Sequence, residues 1–74
     1  MKLKYTLEIN EHSLPSEIIV FANINGKYKI TKYYTFLDKK WITVSDGVEY
    51  NEYFKRQKPF IEDITEEEAF LMLL

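Results

Sequence analysis

The dipeptide Asn25-Gly26 separates Ile18-Ile19-Val20-Phe21-Ala22, apolar at every position, from Lys27 to Phe36, a run rich in β-branched and aromatic residues. Asn-Gly accepts positive φ at both central positions of a two-residue type I′ turn, whose twist matches that of the strands it joins. The segment is therefore expected to be an antiparallel hairpin with a fixed register: Ile24 opposite Lys27, Asn23 opposite Tyr28, Phe21 opposite Ile30 and Ile19 opposite Lys32. One face then gathers Ile19, Phe21, Tyr28 and Ile30, continues into Tyr34 and Phe36, and forms the natural core. The other gathers Ile18, Val20, Ala22 and Ile24 beside Lys27, Lys29, Thr31 and Tyr33, half apolar and half basic.

A chain of 74 residues holds one domain, residues 1–74, and buries only about 60% of the surface its unfolded form exposes. It has no cysteine, so neither a disulfide nor a thiolate metal cage is there to staple it. Stability must come from the apolar 46% of residues, in which six tyrosines, five phenylalanines and one tryptophan are the bulkiest members. The absence of cysteine favours a reducing compartment, and Met1-Lys2-Leu3-Lys4-Tyr5 lacks the unbroken apolar run of a signal peptide, so a cytoplasmic location is expected. Ala69 to Leu74 is the longest apolar stretch, far short of the roughly 20 residues that cross a bilayer; no membrane partner is expected.

Along the chain, Leu3, Tyr5, Leu7 and Ile9 alternate with Lys2, Lys4, Thr6 and Glu8, the period of a half-buried strand. Asn10 to Ser16 is a connecting loop. Trp41 to Ser45, the pair Asp46-Gly47 and Val48 to Phe54 together suggest a second two-residue hairpin. Lys55-Arg56-Gln57-Lys58-Pro59 then breaks the pattern, because proline cannot donate to a ladder. Thr65-Glu66-Glu67-Glu68 has the spacing of a capping box, with acids where the helix dipole favours them, and predicts a short helix over 65–73. The tail of that helix is apolar all round and should be buried, across the half-apolar face of the first hairpin. The expected fold is α+β: a small antiparallel sheet of four to five strands built from two hairpins, with a short C-terminal helix.

Catalytic and metal chemistry find little support. His12 is the lone histidine, sits in a loop, and has no cysteine or second histidine with which to share a metal. Ser13, Ser16 and Ser45 lie in no nucleophile motif, and Gly26 and Gly47 are isolated turn residues rather than parts of a phosphate loop. Asp46, Glu49 and Glu52 are near in sequence, yet nothing converges on them. A non-enzymatic protein without cofactor or metal is expected.

The net charge of −2 is unevenly spread: residues 1–40 carry +3 and residues 41–74 carry −5. Such asymmetry marks a basic face for nucleic acid or an acidic face for a basic partner, or else draws the two halves of one domain together. Lys27-Tyr28-Lys29 and Lys32-Tyr33-Tyr34 interleave lysines with aromatics, the makings of a single-strand nucleic-acid surface in which rings stack on bases and lysines neutralise phosphates.

Four segments, taken in order, carry a family resemblance: Leu14-Pro15-Ser16-Glu17-Ile18-Ile19-Val20-Phe21, Tyr33-Tyr34-Thr35-Phe36-Leu37, Lys40-Trp41-Ile42-Thr43-Val44-Ser45-Asp46 and Glu68-Ala69-Phe70-Leu71-Met72-Leu73. Their succession resembles the C-terminal portion of a ubiquitin-specific protease, with its Leu-Pro strand, Gly-His-Tyr-Thr strand, Trp-x-x-x-Asp-Asp segment and closing Ala-Tyr-x-Leu strand. Tyr33 stands where that family has its catalytic histidine and Ser45 at its first acidic position, and the nucleophile-bearing half has no counterpart in these residues. The resemblance implies a degenerate, inactive fragment that keeps at most a contact with a ubiquitin-like protein. It also implies a strand, not a helix, over 68–74.

By elimination, the expected function is a protein-binding module. Small lysine-, glutamate- and tyrosine-rich domains of this kind resemble accessory proteins of phages and mobile elements that inhibit or occlude a larger host protein. Such a module needs aromatic anchors within a charged rim. Two patches offer them: Ile18, Val20, Lys29 and Tyr33 on the hairpin's second face, and Tyr50, Tyr53 and Phe54 beside Glu49, Glu52, Glu62 and Asp63. An acidic patch of the second kind could imitate nucleic acid or block a basic groove. A homodimer would be expected to join through the free edge of the first strand or of Val48–Phe54.

Overall fold

The computed structural model describes residues 2–57 and 60–74. Five strands, β1 (Leu3–Ile9), β2 (Pro15–Ile24), β3 (Lys27–Thr35), β4 (Lys40–Thr43) and β5 (Ile61–Ile64), form one antiparallel sheet in the order β4-β3-β2-β1-β5. Helix α1 (Tyr50–Gln57) precedes β5, and helix α2 (Glu66–Met72) follows it. The α+β class, the single antiparallel sheet and the short C-terminal helix are those expected from the sequence. Lys58 and Pro59, where the sequence breaks its strand pattern, lie outside the described residues.

The Asn25-Gly26 turn has φ of 53° and 85°, and the Asn23 side-chain oxygen accepts from the Gly26 amide at 3.0 Å. Pairing follows the predicted register from Ile24 opposite Lys27 as far as Phe21 opposite Ile30, and then shifts. Thr31 is the extra residue of a β-bulge. Beyond it Val20 pairs with Lys32, Ile19 with Tyr33 and Ile18 with Tyr34. A one-residue shift carries every later side chain to the opposite face, so Tyr33 joins Ile19 and Phe21 while Tyr34 and Phe36 pass to the face of Ile18 and Val20.

On one face Ile19 and Phe21 pack with Tyr28, Ile30, Tyr33 and Ile61 beneath Tyr53 and Tyr50 of α1. On the other, Ile18 and Val20 pack with Tyr5, Leu7, Ile64, Tyr34 and Phe36 against Ala69, Met72 and Leu73 at the α2 end. The central strand β2 is consequently buried on both sides, Ile18 to Ala22 without exception, which accounts for its unbroken apolar run.

Residues 50–57 form a helix rather than the return strand of a second hairpin. Tyr50, Tyr53 and Phe54 have the i, i+3, i+4 spacing of one helical face, and Tyr50 and Tyr53 meet the Phe21 ring edge-on at 5.2 and 5.6 Å. Edge-to-face packing on a fully buried ring outweighs the strand propensity of the same aromatics. The second hairpin is instead β3–β4, closed by residues 36–39. The loop after β4 seals the rest of β3's outer edge: Val44 N donates to Thr31 O at 2.9 Å and Ile30 N to Val48 O at 3.1 Å.

Thr65 caps α2 as the sequence indicates, its hydroxyl accepting from Glu68 N while the Glu68 carboxylate accepts from Thr65 N. The helix contradicts the closing strand that the ubiquitin-specific protease resemblance implies for 68–74. Both expected homodimer seams are also closed, because β1 lies between β2 and β5 and 50–57 is not a strand. Nor is α2 buried all round: Phe70 and Leu71 are exposed.

Gly47 is required for a different reason from the one its sequence context suggests. Its φ is not in the left-handed region, which here belongs to Asp46. A Cβ at Gly47 would instead fall on the Ile30 carbonyl group. Gly47→Ala should therefore part the loop from β3 and cost about 2 kcal/mol, whereas Gly26→Ala, with open space around its Cβ, carries only the left-handed penalty of about 1 kcal/mol. Urea unfolding of both variants tests this ordering, and equal losses would contradict it.

Candidate functional site

The polar side chains beneath α1 are the first place to look for chemistry. Cross-strand pairing puts Thr6, Glu8, Glu17 and Asp63 on the α1 face of the sheet. The Tyr50 hydroxyl lies 2.9 Å from both Asp63 carboxylate oxygens, and Thr6 Oγ1 donates to Asp63 Oδ1 at 3.2 Å. The Tyr53 hydroxyl donates to Glu8 Oε2 at 2.7 Å. Lys4 Nζ stands 4.1 Å from the centre of the Tyr50 ring.

These groups are occupied with one another. Burial, and then the Asp63 hydrogen bond and charge, push the Tyr50 hydroxyl up to about 12, and burial with the Glu8 bond raises Tyr53 further still. A phenol held in this way is a poorer acid than a free one and is no nucleophile at neutral pH. Among the described residues no group of three or more His, Cys, Asp or Glu could hold a metal ion. The network fastens α1 to β1 and β5, the Tyr53–Glu8 bond partly buried and the Tyr50–Asp63 bond exposed at the surface.

The residues singled out from the sequence do not form one surface. Ile18 and Val20 lie in the α2-side core, and Tyr33 packs on the α1 face with Ile19 and Phe21. Of the first patch only Lys29 is exposed. In the second, Tyr53 is buried, Tyr50 is bonded to Asp63, and Phe54 packs beside Tyr50 with ring centres 5.9 Å apart. Glu49 lies 3.9 Å from Lys27, and Glu52 lies 3.7 Å from Arg56 one turn along α1. Glu62 pairs with Leu7 and so belongs to the opposite face from Asp63. The first sequence-defined patch is thereby dispersed by the fold, whereas the second keeps Tyr50, Glu52, Tyr53 and Phe54 on α1 beside Glu49 and Asp63 and loses only Glu62.

Among the described residues, two surfaces on the α2 side of the sheet are open. The first is the outward face of α2. Ala69, Met72 and Leu73 point to the sheet, leaving Phe70 at 53%, Leu71 at 60% and Leu74 at 100% exposure. With Glu66 and Glu67 they line a shallow concavity of about 430 Å³. The signal was present in the sequence: Ala69 is the one small residue of the apolar tail, and the smallest side chain marks where a helix comes closest to a sheet.

The second surface is the part of the sheet beside α2. Lys32, Tyr34 and Trp41 share one face of β3 and β4, with Trp41 packed edge-on to Tyr34 at 5.4 Å and Lys32 Nζ 4.8 Å from the Trp41 ring centre. Lys29 is exposed on the same face, and the four residues make a basic aromatic ledge. No helix among the described residues is long and apolar enough to cross a membrane.

Comparison with protein-family models, curated proteins and solved structures finds no match. The resemblance to ubiquitin-specific proteases gains nothing from these comparisons.

Glu8 and Glu17 face each other across β1 and β2, like charges in a directly opposed pair. Burial, and then the Glu8 charge, raise the Glu17 carboxyl above its ordinary value of 4.5. A group whose folded value is raised adds stability below its unfolded value and loses that contribution as pH rises through the folded one. Glu17→Gln should accordingly stabilise the protein at pH 7 by about 0.5 kcal/mol and have little effect at pH 4. Thermal melts of both proteins across that range check the sign; a variant less stable at pH 7 would refute it.

Proposed function

We propose that this protein is a non-enzymatic protein-interaction module that docks through the outward face of α2. The observation carrying this reading is the exposure of Phe70 and Leu71 on a helix whose other stripe already fills the core. Phe70 and Leu71, held on a capped helix, supply an ordered apolar anchor, and Glu66 and Glu67 supply a charged rim. The matching partner surface is apolar with a basic border. Docking would occlude that surface, the mode of action expected of a small accessory inhibitor.

The experiment is affinity recovery on the tagged full chain with and without nuclease, comparing wild type with Leu71→Lys and, as control, Leu37→Lys in the exposed β3–β4 turn. Loss of the bound protein by at least about tenfold with Leu71→Lys, and retention with Leu37→Lys, is expected, since a central apolar anchor contributes about 2 kcal/mol. Equal recovery with Leu71→Lys would overturn the reading. A second reading, single-stranded nucleic acid, is favoured by the lysine over the exposed Trp41 ring. It predicts that recovery vanishes with nuclease or moderate salt and depends on Trp41 instead of Leu71.

A further inference from the structure

A surface of the kind α2 requires, apolar with a basic border, is present on the chain itself. We infer that the partner of the α2 face is a second copy of this protein, with Phe70, Leu71 and Leu74 of each copy seated on the Tyr34–Trp41 ledge of the other. This inference rests on the reading of α2 as the docking element and names its partner.

Two observations and a symmetry argument converge. The sheet face that carries α2 is only partly covered, since the helix packs over Tyr5, Leu7, Ile18 and Val20 while Trp41 remains 39% exposed. The charges are complementary: Glu66 and Glu67 border the helix face, and Lys29 and Lys32 flank the ledge. Symmetry then places them together. A two-fold axis parallel to the strands, at the boundary between covered and open sheet, carries each helix onto the other copy's open ledge, so one isologous interface covers both surfaces twice.

Area gives the same answer. A stable interface removes about 800 Å² from each partner, and the seven residues of α2 rise only about 10 Å, too small a footprint alone. Helix and ledge occluded together in each copy provide the larger contact. The resulting layers are sheet, paired helices, sheet, with the α1 faces outermost.

The test exploits the two kinds of contact. In variant A, Glu66→Lys and Glu67→Lys make the helix rim basic; in variant B, Lys29→Glu and Lys32→Glu make the ledge acidic. Each variant alone opposes like charges at both contacts, whereas one copy of A with one of B opposes unlike charges at both. Sedimentation equilibrium at low salt should give a wild-type dimer, association weakened about tenfold or more in A and in B, and a dimer restored in their equimolar mixture. Circular dichroism melts confirm that A and B are folded, and Leu71→Lys, which leaves the cap and the core stripe intact, provides a second, independent monomeric form. A wild-type monomer at millimolar concentration, or dimers that persist unchanged in A, B and Leu71→Lys, would overturn the inference. If the monomer still recovers a different protein in a Leu71-dependent way, self-pairing fails while the docking role of α2 stands; if Leu71 has no effect on either, both fail. A monomer that instead binds an oligonucleotide through Lys32 and Trp41 assigns the ledge to nucleic acid and also overturns the dimer.

Discussion

The structure depends on burying β2 from both sides. Ile18 to Ala22 place apolar side chains alternately above and below the sheet, and water must be excluded from both sets. A sheet alone cannot do that, so each face requires a helix. The remaining chain provides two short ones, α1 over Ile19 and Phe21 and α2 over Ile18 and Val20. Neither is wide enough to span five strands, and the part left uncovered on the α2 side is where Lys32 and Trp41 lie.

The bulge at Thr31 distributes the aromatic side chains between these layers. Without it, Tyr34 and Phe36 would follow Phe21 and Ile30 onto the α1 face, which Tyr50 and Tyr53 already crowd. With it, Tyr33 goes to α1 and Tyr34 and Phe36 to α2, so each helix meets bulky partners. The same shift sets Lys32 beside Trp41, and the basic ledge is therefore a product of the bulge. Charge is sorted along with the rings: the lysines of β3 lie toward one edge of the sheet, while Glu62, Asp63 and the acids of α2 lie at the other.

The polar groups beneath α1 illustrate why titratable side chains need not signal catalysis. A short helix above a sheet with buried Thr6 must find partners for whatever hydroxyls it brings, since an unsatisfied buried group costs more than a hydrogen bond returns. Tyr50 and Tyr53 meet that demand on Asp63 and Glu8, and no buried side-chain nitrogen or oxygen among the described residues is left without a partner. The raised hydroxyl values follow from this closure.

Local signals in the sequence were legible wherever the physics is local. Asn25-Gly26 sets its own backbone angles, Thr65 and Glu68 satisfy each other within one turn, and the alternation of Leu3 to Ile9 states a strand without reference to the rest of the chain. Residues 50–54 were ambiguous because their aromatics fit a strand by propensity and a helix by spacing, and only the edge-on contact with Phe21 decides between them. The bulge has no sequence signature, since Thr31 is as suited to a regular strand as to an extra position, and with it the face of Tyr33, Tyr34 and Phe36 was left to tertiary packing. The sequence by itself determined the α+β class, the first hairpin and the capped C-terminal helix. Tertiary structure decided which side of each element is covered, and hence that Ile18 and Val20 are core while Phe70, Leu71 and Trp41 are surface, because coverage depends on how far two short helices can reach across one sheet.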